Sequence, residues 1–378
     1  MSDLRELIAD RIRTSGPISF AEFMELSLYH PELGYYARAA QKTGRAGDFF
    51  TSVDVGPIFG ELLAKQFGEM WRILSRVQSP ESKVQSPESS AFDLLEAGAS
   101  NGRLARDVLD AAQRTDPEFY SAIRLSLVEQ SHTARAAHER TLGPHAGLLN
   151  HSSSGMPEDI HGVIFANELL DALPTHSVVM TESGLREIFV DVDLAGNFVE
   201  RLLEPSTPRI ADYLSRAGAS MPKGARAEVN LAAEDWMKTA AKSLRKGFML
   251  IIDYGHEEAE LYGGSHATGT LTGFKRHSLI ADSLQEPGES DITAHVDLTA
   301  LTHTATRAGL DVIGRLDQTY FLLGLGVGDL GDMPLKQRLA LKTLLLPGGL
   351  GSTHKVLIFG KNVGAPALKG LSYRVRLT

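Results

Sequence analysis

A glycine-spaced turn directly after a short apolar run is the feature that most constrains this chain. Residues 92–104 pass from the apolar run 92–95 through Glu96 to Gly98 and Gly102. We interpret the segment as a strand, a tight turn and the start of a helix, because glycine permits the turn and a close backbone approach to a ligand. The N–H groups at the helix N-terminus would point toward that ligand. The pattern predicts an α/β fold with a nucleotide-like molecule over the turn.

The spacing of this turn separates it from the common phosphate-binding motifs. It reads Glu-x-Gly-x-Ser-x-Gly, so it lacks the middle glycine of G-x-G-x-x-G and the Lys and Ser/Thr of a P-loop. An acidic residue followed by glycines at alternate positions resembles the first motif of Rossmann-type S-adenosylmethionine (SAM) methyltransferases, with Ser100 in place of the usual middle glycine. On this segment alone, an ordinary strand-to-helix turn is an equal alternative.

Composition limits the chemistry that the chain can perform. The 378 residues contain no cysteine, which excludes disulfides, thiolate nucleophiles and cysteine-based metal centres. The formal net charge of −9 argues against nucleic acid or an anionic membrane as a partner and accommodates a cationic one. The length suggests two domains or one enlarged domain.

The N-terminal sequence predicts a cytoplasmic protein. Residues 1–7 form a charged amphipathic pattern without the apolar core of a secretory signal. No window of the chain approaches about 18 uninterrupted apolar residues, so no integral membrane segment is expected.

Carboxylates follow two further apolar strands of the predicted sheet. Glu129 ends the run 123–128, and Glu168 and Asp171 follow the run 161–166. Since the carboxyl ends of parallel strands share one crevice, Glu129 could bind ribose hydroxyls, and Glu168 with Asp171 could clamp a cation. The alternatives are a helix-capping or surface glutamate at 129 and an acidic pair that only favours a helix N-terminus.

A polar stretch near the end of the chain raises the question of a metal ion. Asp291, His295 and Asp297 could act as ligands, but a set with one histidine is a weak metal signal. We therefore predict no metal site.

Changes of pattern along the chain predict four kinds of segment. They are a helical N-terminal extension with a ligand-covering loop (residues 1–76), a flexible polar insert (residues 77–90), a Rossmann-like core (residues 91–174 and 230–378), and an antiparallel β insert that forms a substrate lobe (residues 175–229).

Seven separated motifs in the same order resemble the MidA family of SAM-dependent methyltransferases. The resemblance spans essentially the whole chain, and it departs from the family pattern at Ser100 and in the insert at residues 78–89. The motifs are Tyr29-His30-Pro31 with Gly34-Tyr35-Tyr36, Gly47-Asp48-Phe49 with Thr51-Ser52, Glu96-Ala97-Gly98 with Gly102, residues 167–174, Asp253-Tyr254-Gly255, Gly269-Thr270-Leu271, and residues 291–297.

The resemblance implies SAM as the cofactor and an arginine-bearing protein as the substrate, because mitochondrial family members methylate an arginine of a respiratory complex I subunit. A homodimer is left open as the assembly. Under this hypothesis, Glu168 and Asp171 bind the guanidinium, and His295 accepts a proton because the pKa of histidine lies nearest neutrality. The expected cofactor-binding residues are Asp48, Thr51, Glu96, Gly98, Ser100, Gly102, Glu129 and Asn167.

Two other functions stay open on the sequence alone. A non-catalytic assembly factor or binding module could keep the fold; Ser100 favours this alternative, whereas the acidic pair favours an enzyme. A methyltransferase acting on small molecules or nucleic acid is the second alternative, and the acidic charge balance argues against nucleic acid.

Overall fold

The computed structural model describes residues 3–39, 52–77, 91–275, 278–280, 283–329, 335–346 and 350–373. Asp48, Thr51 and residues 78–90 of the predicted insert lie outside the described residues. The chain divides into two compact units. The first unit comprises Met1–Phe50, Leu170–Met237 and Gly255–Thr304, and the second comprises Thr51–Leu169, Lys238–Tyr254 and Ala305–Thr378. The domain boundaries given above stay a prediction.

Strands and helices alternate through much of the chain. The strands are β1 (Ile18–Ser19), β2 (Phe92–Ala97), β3 (Ile123–Val128), β4 (Leu149–Ser153), β5 (Ile160–Asn167), β6 (His176–Thr181), β7 (Gly184–Val192), β8 (Phe198–Leu203), β9 (Arg226–Val229), β10 (Leu244–His256), β11 (Thr272–Lys275), β12 (Ser278–Ile280), β13 (Asp291–Thr293), β14 (Val296–Asp297), β15 (Asp311–Asp317) and β16 (His354–Lys361). The helices are α1 (Asp3–Ser15), α2 (Phe20–Tyr29), α3 (Tyr35–Ala39), α4 (Ile58–Val77), α5 (Arg103–Thr115), α6 (Pro117–Ala122), α7 (His132–Arg135), α8 (His138–Leu142), α9 (Pro208–Arg216), α10 (Leu231–Ser243), α11 (Glu258–Leu261), α12 (Leu298–Arg307), α13 (Gln318–Gly324), α14 (Leu335–Leu345) and α15 (Leu350–Thr353).

The sheet of the second unit has the strand order β15-β16-β10-β5-β2-β3-β4. Strands β10, β5, β2, β3 and β4 pair in parallel, and β16 is antiparallel to both of its neighbours. The order reverses between β2 and β5, and this reversal is where ligands bind in doubly wound sheets. The predicted Rossmann-like α/β class is therefore confirmed.

The core of this unit explains why its central strands are almost wholly apolar. Every residue of β2 is buried, as expected for a parallel strand covered on both faces. Helices α4 and α5 share one apolar core with the strands, and the ring centroids of Phe67 and Phe165 lie 4.9 Å apart. Both rings are fully buried, and each burial contributes on the order of 2–3 kcal/mol.

Antiparallel pairing dominates the first unit. Strand β7 pairs with β1, β6 and β8, and β6 pairs also with β9. A smaller sheet has the order β12-β11-β13, and the last residues of β10, Gly255 and His256, pair in parallel with β14. Helix α2 begins after Ser19, whose Oγ accepts the Glu22 N–H at 3.1 Å. Within the described ranges, no helix combines the length and apolar character that crossing a bilayer requires.

A buried ion pair joins the two antiparallel strands at one edge of the second unit. Asp317 of β15 lies opposite Lys355 of β16, and the Lys355 Nζ is 2.6 Å from the Asp317 Oδ1. The two side chains are only 3% and 5% exposed, so water screens the pair poorly.

We predict that Lys355→Met lowers the free energy of unfolding by about 3–5 kcal/mol, because Asp317 would keep a buried charge without this ammonium group. Adding Asp317→Leu should recover most of the loss, since both charges are then gone. Urea denaturation measures the effect. Lys223→Met, which breaks an exposed pair with Glu182, is the control and should change stability by less than about 1 kcal/mol. A loss as small in Lys355→Met as in the control would contradict the prediction.

Candidate active site

The glycine turn lies where the strand order of the second unit reverses. Gly98 and Gly102 have φ angles of 71° and 83°, a region that favours glycine. The N–H groups of Gly98 and Ala99 donate to the Val128 carbonyl at 2.9 and 3.1 Å, which ties the turn to the end of β3. A Cβ added to Gly98 would lie 2.9 Å from a methyl carbon of Leu169, so a side chain there would clash.

Ser100 adopts a conformation that suits glycine better than serine. Its φ is 46°, its N–H donates to Oε2 of Glu129 at 2.9 Å, and its carbonyl accepts Nε2–H of His138 at 2.8 Å. The carbonyl can only accept, so His138 carries its proton on Nε2, and burial lowers the pKa of this imidazole. The turn is thus held from both sides in a conformation that costs serine about 1–2 kcal/mol.

The carboxyl group of Glu96 caps the N-terminus of the helix that follows the turn. It is buried, and its Oε2 accepts the Ala105 N–H at 3.1 Å, in the first turn of α5. Gly102 stands at the N-cap and has no side chain to make this bond, so the carboxyl group of Glu96 replaces it. Burial raises the pKa of Glu96 well above its ordinary value. The contact supports the turn, and a direct role for Glu96 toward a cofactor stays a prediction.

Glu129 lies beyond the end of β3, on the same sheet edge. Its Oε2 accepts the Ser100 N–H, and its Oε1 accepts the Ser131 N–H at 2.7 Å. Burial raises the pKa of Glu129, and these backbone hydrogen bonds act in the opposite direction. Each carboxylate oxygen has a further acceptor site. The group can therefore hold the turn and still accept ribose hydroxyls.

Glu168 directly follows β5 and is also strained. Its φ is 50°, and its N–H donates to the Ile252 carbonyl at 2.8 Å. Oε1 accepts the Ser52 N–H at 2.9 Å and Nδ2 of Asn167 at 3.1 Å, and it lies 3.5 Å from Nε2 of His354. Among the described residues, Oε2 has no such partner. One oxygen is anchored, and the other keeps unused hydrogen-bonding capacity within this part of the structure.

The surroundings of Glu168 keep it ionised. Burial alone would raise its pKa, but His354 first, then the Ser52 N–H and Asn167, bring the pKa below its ordinary value. Nδ1 of His354 lies 2.9 Å from the Leu350 carbonyl, which can only accept, so Nδ1 carries a proton. Nε2, the other ring nitrogen, is then the atom that faces Oε1 of Glu168.

Two more polar groups shape this edge of the sheet. Asp253 is fully buried, and its Oδ2 accepts the Leu169 N–H at 3.1 Å, which fixes the backbone after Glu168. Oδ1 of Asn167 is buried and has no hydrogen-bond partner among the described residues. A buried acceptor without a partner is costly unless a ligand satisfies it. Together with the closely approached glycines, it fits a ligand that carries hydrogen-bond donors.

The predicted residues fall into two groups. Glu96, the turn 98–102, Glu129, Asn167 and Glu168 all belong to the second unit, around the ends of β2, β3 and β5. Sequence reasoning assigned no role to four further residues here. They are Ser52, His138, Asp253 and His354. Ser52 and Asp253 lie inside motifs of the family resemblance, whereas His138 and His354 lie outside those motifs.

Asp171 and His295 belong to the first unit. Asp171 is 5% exposed, and its carbonyl accepts the Ala294 N–H at 2.9 Å. It is one of the groups near Tyr36, whose pKa is raised well above its ordinary value by burial first and then mainly by Asp291. Burial, followed by two neighbouring imidazoles, lowers the pKa of His295 to about 4. The reason for choosing His295 as a proton acceptor, a pKa near neutrality, therefore does not hold in this structure.

Comparison with known proteins identifies the enzyme family of this chain. Residues 62–316 match the family model of S-adenosyl-L-methionine-dependent methyltransferases. The chain belongs to this family. SAM is therefore the cofactor, and the predicted methyltransferase activity and MidA resemblance are confirmed.

Relatives and a solved structure agree with this assignment. The mitochondrial protein arginine methyltransferase NDUFAF7 homolog of Drosophila melanogaster is 30% identical over 89% of this chain and 77% of its own length. The mouse protein of that name is 29% identical over 93% of this chain and 78% of its own length. A Burkholderia thailandensis protein, crystallised with S-adenosyl-homocysteine, has a TM-score of 0.85 and 29% identity, covering 98% of this chain and 94% of that one.

The same comparison corrects one prediction. The relatives are named as mitochondrial, so the cytoplasmic location expected from the sequence is wrong. The missing apolar core at residues 1–7 argues only against a secretory signal and carries no information about other compartments.

We predict that Ser100→Gly raises the free energy of unfolding by roughly 0.5–1 kcal/mol, because glycine relieves the backbone strain but loses more entropy on folding. Ser215→Gly, in helix α9, is the matched control and should destabilise by about 0.5 kcal/mol. Denaturation of both variants, with calorimetry of S-adenosyl-homocysteine binding, gives the answer. Weaker binding in Ser100→Gly would show instead that the Ser100 hydroxyl contacts the cofactor.

Proposed function

We propose that this methyltransferase acts on an arginine side chain of a protein. The observation that carries the proposal is the carboxylate of Glu168, which is ionised, anchored through Oε1 and without a partner at Oε2 among the described residues. A guanidinium is always protonated and pairs readily with such a group. The names of the relatives, protein arginine methyltransferases, support the same substrate class.

The cofactor would be held by groups at the edge of the parallel sheet. The turn 98–102 would bind the amino-acid end of SAM, and Glu129 the ribose. Asn167 would offer its buried Oδ1 to a donor of the cofactor. Asp48 and Thr51, outside the described residues, stay in the proposal as part of a covering loop. SAM supplies an electrophilic methyl group, so the protein mainly has to position the acceptor in line with it.

Glu168 would prepare the arginine for transfer. Oε2 would accept an N–H of the guanidinium and draw its positive charge toward that nitrogen, which leaves another nitrogen with more lone-pair character. That second nitrogen would take the methyl group as its bond to the sulfur of SAM breaks, and it would release one proton to solvent water. Hydrogen bonds from Ser52 and Asn167 hold Oε1, so the carboxylate would keep its orientation while Oε2 binds the substrate. Asp171 stays in the proposal as the second carboxylate that binds the guanidinium.

The proposal extends to the identity of the substrate and to assembly. The MidA resemblance implies a subunit of a respiratory complex I type enzyme as the arginine-bearing protein. A homodimer stays a prediction. Neither point is needed for the chemistry at Glu168.

We predict that Glu168→Gln lowers methyl transfer by about 100-fold or more, because an uncharged amide cannot localise the guanidinium charge. Binding of S-adenosyl-homocysteine should be unchanged. The assay transfers labelled methyl from SAM to proteins of a cell extract, followed by mass spectrometry of the modified residue. Glu139→Gln, on the exposed surface of α8, is the control and should keep full activity.

Glu168→Asp separates charge from position, since it keeps the carboxylate but shortens it. It should retain more activity than Glu168→Gln and show its defect mainly in kcat. Label found on residues other than arginine would overturn the proposed substrate. Unchanged transfer in Glu168→Gln would remove this residue from the mechanism.

A further inference from the structure

Three histidines of the first unit, from three different segments of the chain, lie close together. His256 ends β10, His266 lies in the 3₁₀ turn Gly264–His266, and His295 lies between β13 and β14. One ligand atom from each lies within 4.8 Å of the others. The ring centroid of His256 lies 5.0 Å from that of His295 and 4.8 Å from that of His266. This histidine cluster has no role in the methyl transfer proposed above.

The backbone fixes two members of the histidine cluster beside each other. Gly255 and His256 pair in parallel with Val296 and Asp297, which places the residue before β14 next to the end of β10. The N–H of His295 also donates to Oγ1 of Thr270 at 3.0 Å. The arrangement therefore rests on strand pairing rather than on the chance positions of side chains.

Glu260 orients the imidazoles of His256 and His266. Its Oε2 lies 2.9 Å from Nδ1 of His256, and its backbone carbonyl lies 3.0 Å from Nδ1 of His266. Both Nδ1 atoms face acceptors and therefore carry protons, which leaves Nε2 of each neutral ring as a lone-pair donor. Metal-binding histidines in proteins are usually oriented in this way, with the second ring nitrogen donating to a carboxylate or a carbonyl.

The local charge also favours a cation. Glu257 and Glu258 follow His256 directly, Glu260 comes one turn later, and the side chain of Glu260 is 46% exposed. The three imidazoles are each partly exposed, so an ion and its water ligand can reach them. Acidic groups around neutral imidazoles attract a divalent ion without competing for the lone pairs.

We propose that His256, His266 and His295 bind one divalent transition-metal ion, with a remaining position open to solvent. Nitrogen donors of this kind suit Zn²⁺, Co²⁺, Ni²⁺ and Cu²⁺. Ligands at about 2.0–2.1 Å from a tetrahedral ion lie roughly 3.3 Å apart, so the cluster contracts on binding. We expect His266 to move toward the ion, because it lies in a short turn. In this proposal His295 is a metal ligand instead of a proton acceptor.

The test is titration of the full chain, freed of metal by a chelator, with Co²⁺, whose visible absorption reports nitrogen coordination. Wild type should bind one Co²⁺ per chain, and Zn²⁺ should displace it. His266→Ala should weaken binding at least 10-fold, whereas His303→Ala, on the exposed face of α12, should bind as wild type does. Glu260→Gln should weaken binding by about 10–100-fold, because it loosens the ring of His256.

Two results would overturn the metal site: no Co²⁺ absorption in wild type, or His266→Ala binding as tightly as His303→Ala. Calorimetry with S-adenosyl-homocysteine on the same samples shows whether each variant is folded and binds the cofactor. Since the histidine cluster is independent of Glu168, failure of the metal site leaves the proposed methyl transfer untouched.

Discussion

The parallel pairing of β2 with β5 is the constraint on which the site depends. Ala97 lies opposite Ala166, so the glycine turn after β2 and the segment after β5 leave the sheet at the same edge. The pairing also brings Leu169 so close to Gly98 that a Cβ there would displace the Leu169 side chain. A shift of register by one residue would move both the turn and Glu168 away from each other and turn their side chains to the wrong faces. The positions of the candidate site residues therefore depend on the backbone pairing of β2 with β5, which involves no reactive side chain.

Strain is concentrated at this edge. Ser100 and Glu168 both have positive φ angles although neither is glycine, and each is fixed by hydrogen bonds from flanking elements. Such conformations persist only where the surroundings determine them strongly, and they cluster at functional sites. For Ser100 the described contacts give the strain no chemical use, because they involve only its backbone N–H and carbonyl. For Glu168 it directs the side chain toward Ser52 and Asn167, which leaves Oε2 available.

Local patterns predict the parallel sheet, the turn 98–102 and the acidic residues at the strand ends, because each feature depends on a short segment of the sequence. The partners of Glu168 were not predictable in this way. Ser52 and His354 come from segments far away in sequence, and only the fold brings them to β5. Glu96 shows the opposite difficulty: it lies in the strand that precedes the turn, as the motif predicts, but its carboxyl group contacts a helix N-terminus, which the motif alone does not reveal.

His295 shows why a residue's chemistry cannot be inferred from its type alone. The ordinary pKa of histidine predicts a proton acceptor, yet burial and two neighbouring imidazoles lower the pKa of His295 to about 4. Glu168 is also buried, but its pKa moves below the ordinary value because His354, the Ser52 N–H and the side-chain amide of Asn167 face it. Burial favours the neutral form of both groups, and the neighbours decide whether that preference is kept. Most of these neighbours, such as His354 for Glu168 and His256 for His295, come from distant parts of the chain, so the protonation states of both groups follow from the fold.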